Sequence, residues 1–146
     1  MGLSLRGIFK YLIKMDLIKI SQDKEKAKSI VQMTHLIEKR ITLQDKNKMS
    51  ALILSDYYEI IKELITAVLL LDGYKTLSHK DLIDYINEKY KEFSAHEIAL
   101  LNELRVLRNR VAYEGFFIEP SFLSRNEANF TGIIYKLRKL IEKRLN

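Results

Sequence analysis

The sequence has no cysteine, a single proline and only five glycines in 146 residues, and each shortage removes a class of protein. Without cysteine there is neither a disulfide framework nor a thiolate metal site, and a reducing cytoplasm is the expected compartment. With so little glycine and proline, and few runs of β-branched residues, helices are predicted throughout. The longest apolar run, Leu64 to Leu71, carries Thr66 inside it and falls far below the roughly 20 residues of a membrane span, so no partnership with a membrane is expected. Near the start, Arg6 stands where a myristoylation signal needs Ser or Thr, and Lys10 and Lys14 interrupt any signal-peptide apolar region, so no targeting segment is expected. Glycine-rich phosphate loops, HExxH boxes, zinc-ligand spacings, repeats and heptads are all missing, which leaves no basis for a cofactor or a metal.

What is present is enough apolar sequence, 47% of the chain, for one ordinary core. The expectation is an all-α, single-domain antiparallel helical bundle of about five to six helices over residues 1–146, with residues 1–20 as an N-terminal amphipathic helix and 21–146 as the core bundle. The formal charge is +6, with basic ends and an acidic stretch over residues 51–100. Such a balance attracts phosphates, but Lys-rich solvated faces produce it equally well.

In the first twenty residues Leu5, Ile8, Phe9, Leu12 and Met15 follow helical spacing, with Arg6, Lys10 and Lys14 as a basic row. Ser21, Asp23 and Glu25 suit the start of a second helix whose inner face is Ala27, Ile30, Val31, Thr34 and Ile37 or Ile41, with His35 near that face. A long helix follows over Met49 to Asp72, stopped by Gly73. Its inner stripe is Tyr57, Ile60, Ile61, Leu64, Val68 and Leu71, and Glu59 and Glu63 lie a turn apart beside it. Ser78 with Asp81 and Ser94 with Glu97 form two capping boxes that bracket a short helix, about Lys80 to Phe93. His79 and His96 fall inside these boxes and receive no role. After Gly115 the segment FFIEPSF reads as a turn or crossover broken by Pro120; Ser124 and Glu127 form a third box, and a last helix runs through Phe130, Ile133, Ile134, Leu137, Leu140 and Ile141.

The helix from Glu97 to Gly115, EIALLNELRVLRNRVAYEG, is the chemically informative one. Leu100, Leu101, Leu104, Leu107 and Val111 make its buried stripe, and Arg108 falls within that stripe. A guanidinium on an apolar face needs a carboxylate, carbonyls, a phosphate or a second subunit. Two roles are open to it, a structural ion pair, for which Glu63 is the facing carboxylate, or a ligand site formed with Asn109 and Tyr113 on the adjoining face.

Two stretches together resemble the HEPN superfamily: LSDYYEIIKELITAVLLLDGYKTLSHKDLIDYI, Leu54 to Ile86, and LRVLRNRVAYEGF, Leu104 to Phe116. In that family a tyrosine-rich, acid-bearing helix ends in a Leu-rich run and Gly-Tyr-Lys, a Ser-His-led helix follows, and a later helix ends in R-x(4–6)-H with a polar residue after the arginine. The resemblance implies a helical bundle and a homodimer whose motifs face each other. It also implies either metal-independent endoribonuclease activity or pairing with a small nucleotidyltransferase in a toxin–antitoxin module. Arg108 and Asn109 match the pattern, and Tyr113 stands where histidine is usual. An imidazole titrates near about 6.5 and a phenol near about 10, so the phenol is a poor base at neutral pH. What the resemblance implies for Arg108, Asn109 and Tyr113 is therefore binding of RNA or a nucleotide, with Glu63 orienting Arg108 and any cleavage weak. The alternative is a non-catalytic interaction module that partners a nucleotidyltransferase. A tyrosine two residues beyond the histidine, which partner enzymes modify in some members, is here Gly115, so that role does not carry over.

Overall fold

A computed structural model describes residues 15–146. Within them the architecture is an all-α bundle of five helices: α1 (Lys24–Thr42), α2 (Ser50–Asp72), α3 (His79–Lys89), α4 (Ala95–Glu114) and α5 (Pro120–Leu145). Two short strands, β1 (Ile18–Lys19) and β2 (Tyr74–Lys75), pair antiparallel in the register Ile18 to Lys75 and Lys19 to Tyr74.

The bundle is arranged around α2. Its buried residues include Ile53, Leu54, Tyr57, Tyr58, Ile60, Ile61, Leu64, Ile65, Val68, Leu69, Leu70 and Leu71, which is a helix apolar almost all round rather than on one stripe. Such a helix is stable in water only if neighbours cover every side, and α1, α3, α4 and α5 all pack against it. The buried side chains of all five helices form one cluster. From α1 it takes Ala27, Ile37 and Ile41, as the spacing predicts, whereas His35 is exposed and not at the inner face.

The C-terminal end of α2 is the most heavily tied point. Gly73 holds φ 87° and a Cβ there would meet the Ile20 carbonyl oxygen at 3.1 Å, so both conformation and contact require glycine. The last carbonyls of α2 accept from three sources: the Asp23 amide at Leu70, the Gln22 side chain at Leu71 and the Arg144 guanidinium, also at Leu71. Asp72 accepts hydrogen bonds from Tyr85 at 2.7 Å and Tyr90 at 2.6 Å and is paired with Arg144. Burial, and then the bond to this carboxylate, hold both phenols well above the usual tyrosine range.

This knot accounts for the first departures from the sequence reading. An N-terminal helix to Ile20 does not form over its last part. The Ile20 amide donates to the Gly73 carbonyl at 2.9 Å and Ile18–Lys19 pair with the strand that leaves α2, which suits the alternating, β-branched Leu-Ile-Lys-Ile sequence. The amphipathic pattern of Leu5 to Leu12 lies outside the described residues. Helix α1 starts two residues later than Ser21 suggests, with Asp23 as N-cap accepting from the Lys26 amide at 3.0 Å, because Gln22 and Asp23 are already committed to α2.

A third departure is the start of α5. The helix begins at Pro120, which occupies the first turn where a missing amide proton costs nothing and a fixed φ helps. Ser124 is therefore inside the helix, donating to the Ser121 carbonyl, and forms no capping box. Glu127 turns instead to Tyr57 at 2.7 Å and Lys46 at 3.0 Å, linking α5 to α2 and to the loop before it.

Replacing Asp72, whose side chain is only 5% exposed, by Ala leaves the phenol hydroxyls of the buried Tyr85 and half-buried Tyr90 without their acceptor and Arg144 without its carboxylate. The expected loss is about 3 kcal/mol in urea unfolding. A change within about 0.5 kcal/mol, the range of ordinary surface substitutions, contradicts this placement of the network.

Candidate functional site

Helix α4 is fixed at its start and free at its end. Ser94 and Glu97 form the full reciprocal capping box, at 3.1 Å and 2.9 Å. Lys136 of α5 then clamps Glu97 at 2.7 Å and the Glu92 carbonyl at 3.0 Å. Burial disfavours the ionised Glu97, but the bonds from Lys136 and Ser94 outweigh it and hold the carboxyl below its usual range. Along the helix Leu100, Leu101 and Leu104 are buried, while Leu107 and Val111, on the same side one and two turns later, are only half-buried. The helix thus runs past the edge of the core over its last two turns. Gly115, at φ 64° with open space around it, ends it in the left-handed conformation.

Arg108 stands at that edge, half-buried on the inner side of α4. Its guanidinium donates to the Asn109 side-chain oxygen at 3.4 Å and lies 5.8 Å from the centre of the buried Tyr58 ring of α2. Among the described residues it makes no ion pair. Glu63 does not meet it; Lys62 takes both neighbouring carboxylates, Glu59 at 2.9 Å and Glu63 at 3.1 Å. Burial works against the charge of Lys62, and the two glutamates more than restore it. The structure therefore brings Arg108 and Asn109 together and gives Glu63 to Lys62. Tyr113 is on the adjoining face, 81% exposed. It makes no contact with Arg108 among the described residues.

Several residues beyond those singled out from the sequence complete the site. Arg105, one turn before Arg108, also lacks an ion pair, and its Nε is buried without a hydrogen-bond partner among the described residues. His79, at the first position of α3, packs its ring 5.9 Å from that of Tyr58, on which Arg108 also converges. Burial, then Lys62, Arg108 and Arg105, push its imidazole below the usual histidine value, with Glu59 pulling the other way. Burial raises the Tyr58 phenol to about 12, although Arg105 and Arg108 act in the opposite sense. The sequence signals were present but ambiguous: Tyr58 and Lys62 are a helical turn apart, as are Arg105 and Arg108, and His79 sits inside a capping box that explained it without reference to a site.

At the tip of α4, Arg110 pairs with Glu114 at 3.0 Å and its guanidinium lies 3.8 Å from the centre of the Phe116 ring. Phe116 is half-buried, Ile118 is buried, and Phe117 is 88% exposed. Val106 and Tyr113 of α4 are exposed as well. The described residues contain no group of three or more His, Asp or Glu able to hold a metal, and no helix among them is long and apolar enough to cross a membrane. A groove of about 540 Å³ between Met15–Ile18 and Leu77–Ser78 includes none of these residues.

Comparison of the chain with models of known protein families finds no match, and comparison with curated proteins finds none either.

Proposed function

We propose that the chain is a HEPN-like, homodimeric RNA- or nucleotide-binding protein in which Arg108, Asn109 and Tyr113 of both subunits line the ligand cleft. The observation that carries this reading is the state of the arginines. Arg105 and Arg108 lie on the half-buried side of α4 without a carboxylate partner among the described residues, while Glu59 and Glu63 of α2 are both paired with Lys62. A half-buried guanidinium without a carboxylate favours a role toward an external anion over one as a structural ion-pair member. Tyr113, with most of its ring in solvent, is free to stack on a base or donate to a phosphate. The exposed Val106, Tyr113 and Phe117 give a second copy apolar side chains to cover.

In the cleaving version of this reading the ribose 2′-oxygen gives its proton to water and bonds to the adjacent phosphorus as the bond to the 5′-oxygen breaks, leaving a 2′,3′-cyclic phosphate; Arg108 stabilises the charge that develops there, and Tyr113 at most donates a proton to the departing 5′-oxygen. The same exposed side chains favour a second reading, a non-catalytic module that holds a protein partner such as a small nucleotidyltransferase.

Arg108→Met keeps the packing of the stem and removes the planar fork. The variant is expected to stay folded and to lose single-stranded RNA affinity by about ten-fold or more, read by fluorescence anisotropy. Unchanged affinity accompanied by a stability loss of a few kcal/mol makes Arg108 structural instead.

Cleavage is tested with labelled single-stranded RNA in the presence of EDTA. Wild type is expected to cleave weakly or not at all, and Tyr113→His to gain up to the roughly hundred- to ten-thousand-fold that positioned acid–base groups contribute. Vigorous wild-type cleavage abolished in Tyr113→Phe shows the phenol to be catalytic. No cleavage by any variant, with the dimer intact, favours the partner-holding module.

A further inference from the structure

The groups around Tyr58 are unusual in kind as well as in charge. Arg105 and Arg108 come from α4, Lys62 and Tyr58 from α2, and His79 from the first turn of α3. Two of these three helices thus send basic groups to the rim of one buried ring, and the third sends a histidine. The carboxylates that face them, Glu59 and Glu63, both belong to α2 and are both paired with Lys62. Among the described residues neither arginine has a carboxylate partner, and the buried Nε of Arg105 has no acceptor. The arginines and His79 are half-buried rather than freely solvated. Held this way they repel one another, and an ionised imidazole would add to that repulsion. A bound dianion adds an attraction to each of these groups that offsets their mutual repulsion.

We propose that Arg105, Arg108 and His79 form a binding site for a tetrahedral phosphate group at the rim of Tyr58, and that His79 takes up a proton as the phosphate binds. This deepens the reading of the protein as an RNA- or nucleotide-binding one and rests on it for the identity of the phosphate's owner. It names the phosphate-holding end of the cleft and adds an ionisable residue that the Arg-Asn-x-x-x-Tyr motif of α4 does not itself contain.

The proton balance follows directly. In the free protein the groups facing His79 are Lys62, Glu59 and Tyr58 from α2 and Arg105 and Arg108 from α4, and their net effect with burial is to keep the ring neutral at neutral pH. A bound anion between the guanidiniums and the ring favours the imidazolium, so the midpoint of His79 is higher in the complex than in the free protein. Binding is tightest below the free-protein midpoint, takes up a proton between the two midpoints, and is weakest above the midpoint of the complex.

The probe is inorganic sulfate, a tetrahedral dianion whose own charge is constant across the range about pH 5 to 8 in which histidines titrate. Imidazole resonances are followed by NMR through that range in the full-length protein, with and without sulfate. His35 and His96, both exposed, serve as internal references. Sulfate is expected to raise the His79 midpoint by about one pH unit and leave the other two in place. Wild-type affinity for sulfate is then about ten-fold higher on the acid side of the window than on the basic side. In His79→Gln the affinity falls about ten-fold below the wild-type acid-side value and no longer depends on pH, and in Arg108→Met the midpoint shift is lost. A His79 midpoint that moves no more than those of His35 and His96 overturns the proposal, as does unchanged pH dependence in His79→Gln. The two layers separate cleanly. RNA binding with an unresponsive His79 overturns the phosphate site and leaves the RNA reading, whereas the sulfate response without RNA or nucleotide binding supports the site and overturns the RNA reading.

Discussion

The constraint on which the structure depends is that α2 is apolar on every side but one narrow polar ridge. From Ile53 to Leu71 its side chains are buried on nearly every side, and burying an aliphatic side chain is worth roughly 1.5–3 kcal/mol, so leaving any side of this helix bare is costly. The other helices take the positions that cover it. Polar chemistry is pushed to its two ends and its one charged ridge. One end is closed by Asp72 with Tyr85, Tyr90 and Arg144, the other by the Ser50 hydroxyl donating to the Ile118 carbonyl, and the ridge is Glu59, Lys62 and Glu63.

The candidate site is a consequence of how far that cover extends. Helix α4 is pinned at Ser94, Glu97 and Lys136, lies on α2 through Leu100, Leu101 and Leu104, and then continues beyond the apolar surface available to it. Arg105 and Arg108 occupy inner-side positions where the core gives out. Each lays its stem along the apolar edge, and the Nε of Arg105 is buried there without a partner among the described residues. The same edge receives His79, because Gly73 turns the chain at the end of α2 and a short connection brings α3 back beside Tyr58.

Much of this was legible in the sequence, for identifiable reasons. Helices α2, α3 and α4 were readable because Gly73, Ser78, Ser94 and Gly115 are punctuation with a local mechanism, either a left-handed stop or a side-chain cap. Arg108 and Asn109 were legible as a pair because helical spacing makes an arginine on a leucine stripe conspicuous. What was not legible depends on contacts distant in sequence. Nothing in Leu17 to Ile20 announces that residues 73–75 will offer a strand. Ser124 and Glu127 have the spacing of a capping box, yet Tyr57 and Lys46 claim the carboxylate. Glu63 was assigned to Arg108 by its place on the facing helix, but Lys62, its immediate neighbour in sequence, reaches it first. His79 receives no role from the sequence because it falls inside a capping box, and the groups that face it lie on α2 and α4.

The central claim is that the two unpaired arginines of α4 are held for phosphates. Its most direct measurement is the salt dependence of single-stranded RNA binding in the wild type, Arg105→Met and Arg108→Met. Each phosphate contact contributes about 0.7 to the slope of log affinity against log salt concentration. The account predicts measurable wild-type binding at low salt and a slope smaller by about 0.7 in each variant. A wild-type protein that does not bind, or variants whose slopes equal that of the wild type, would contradict it.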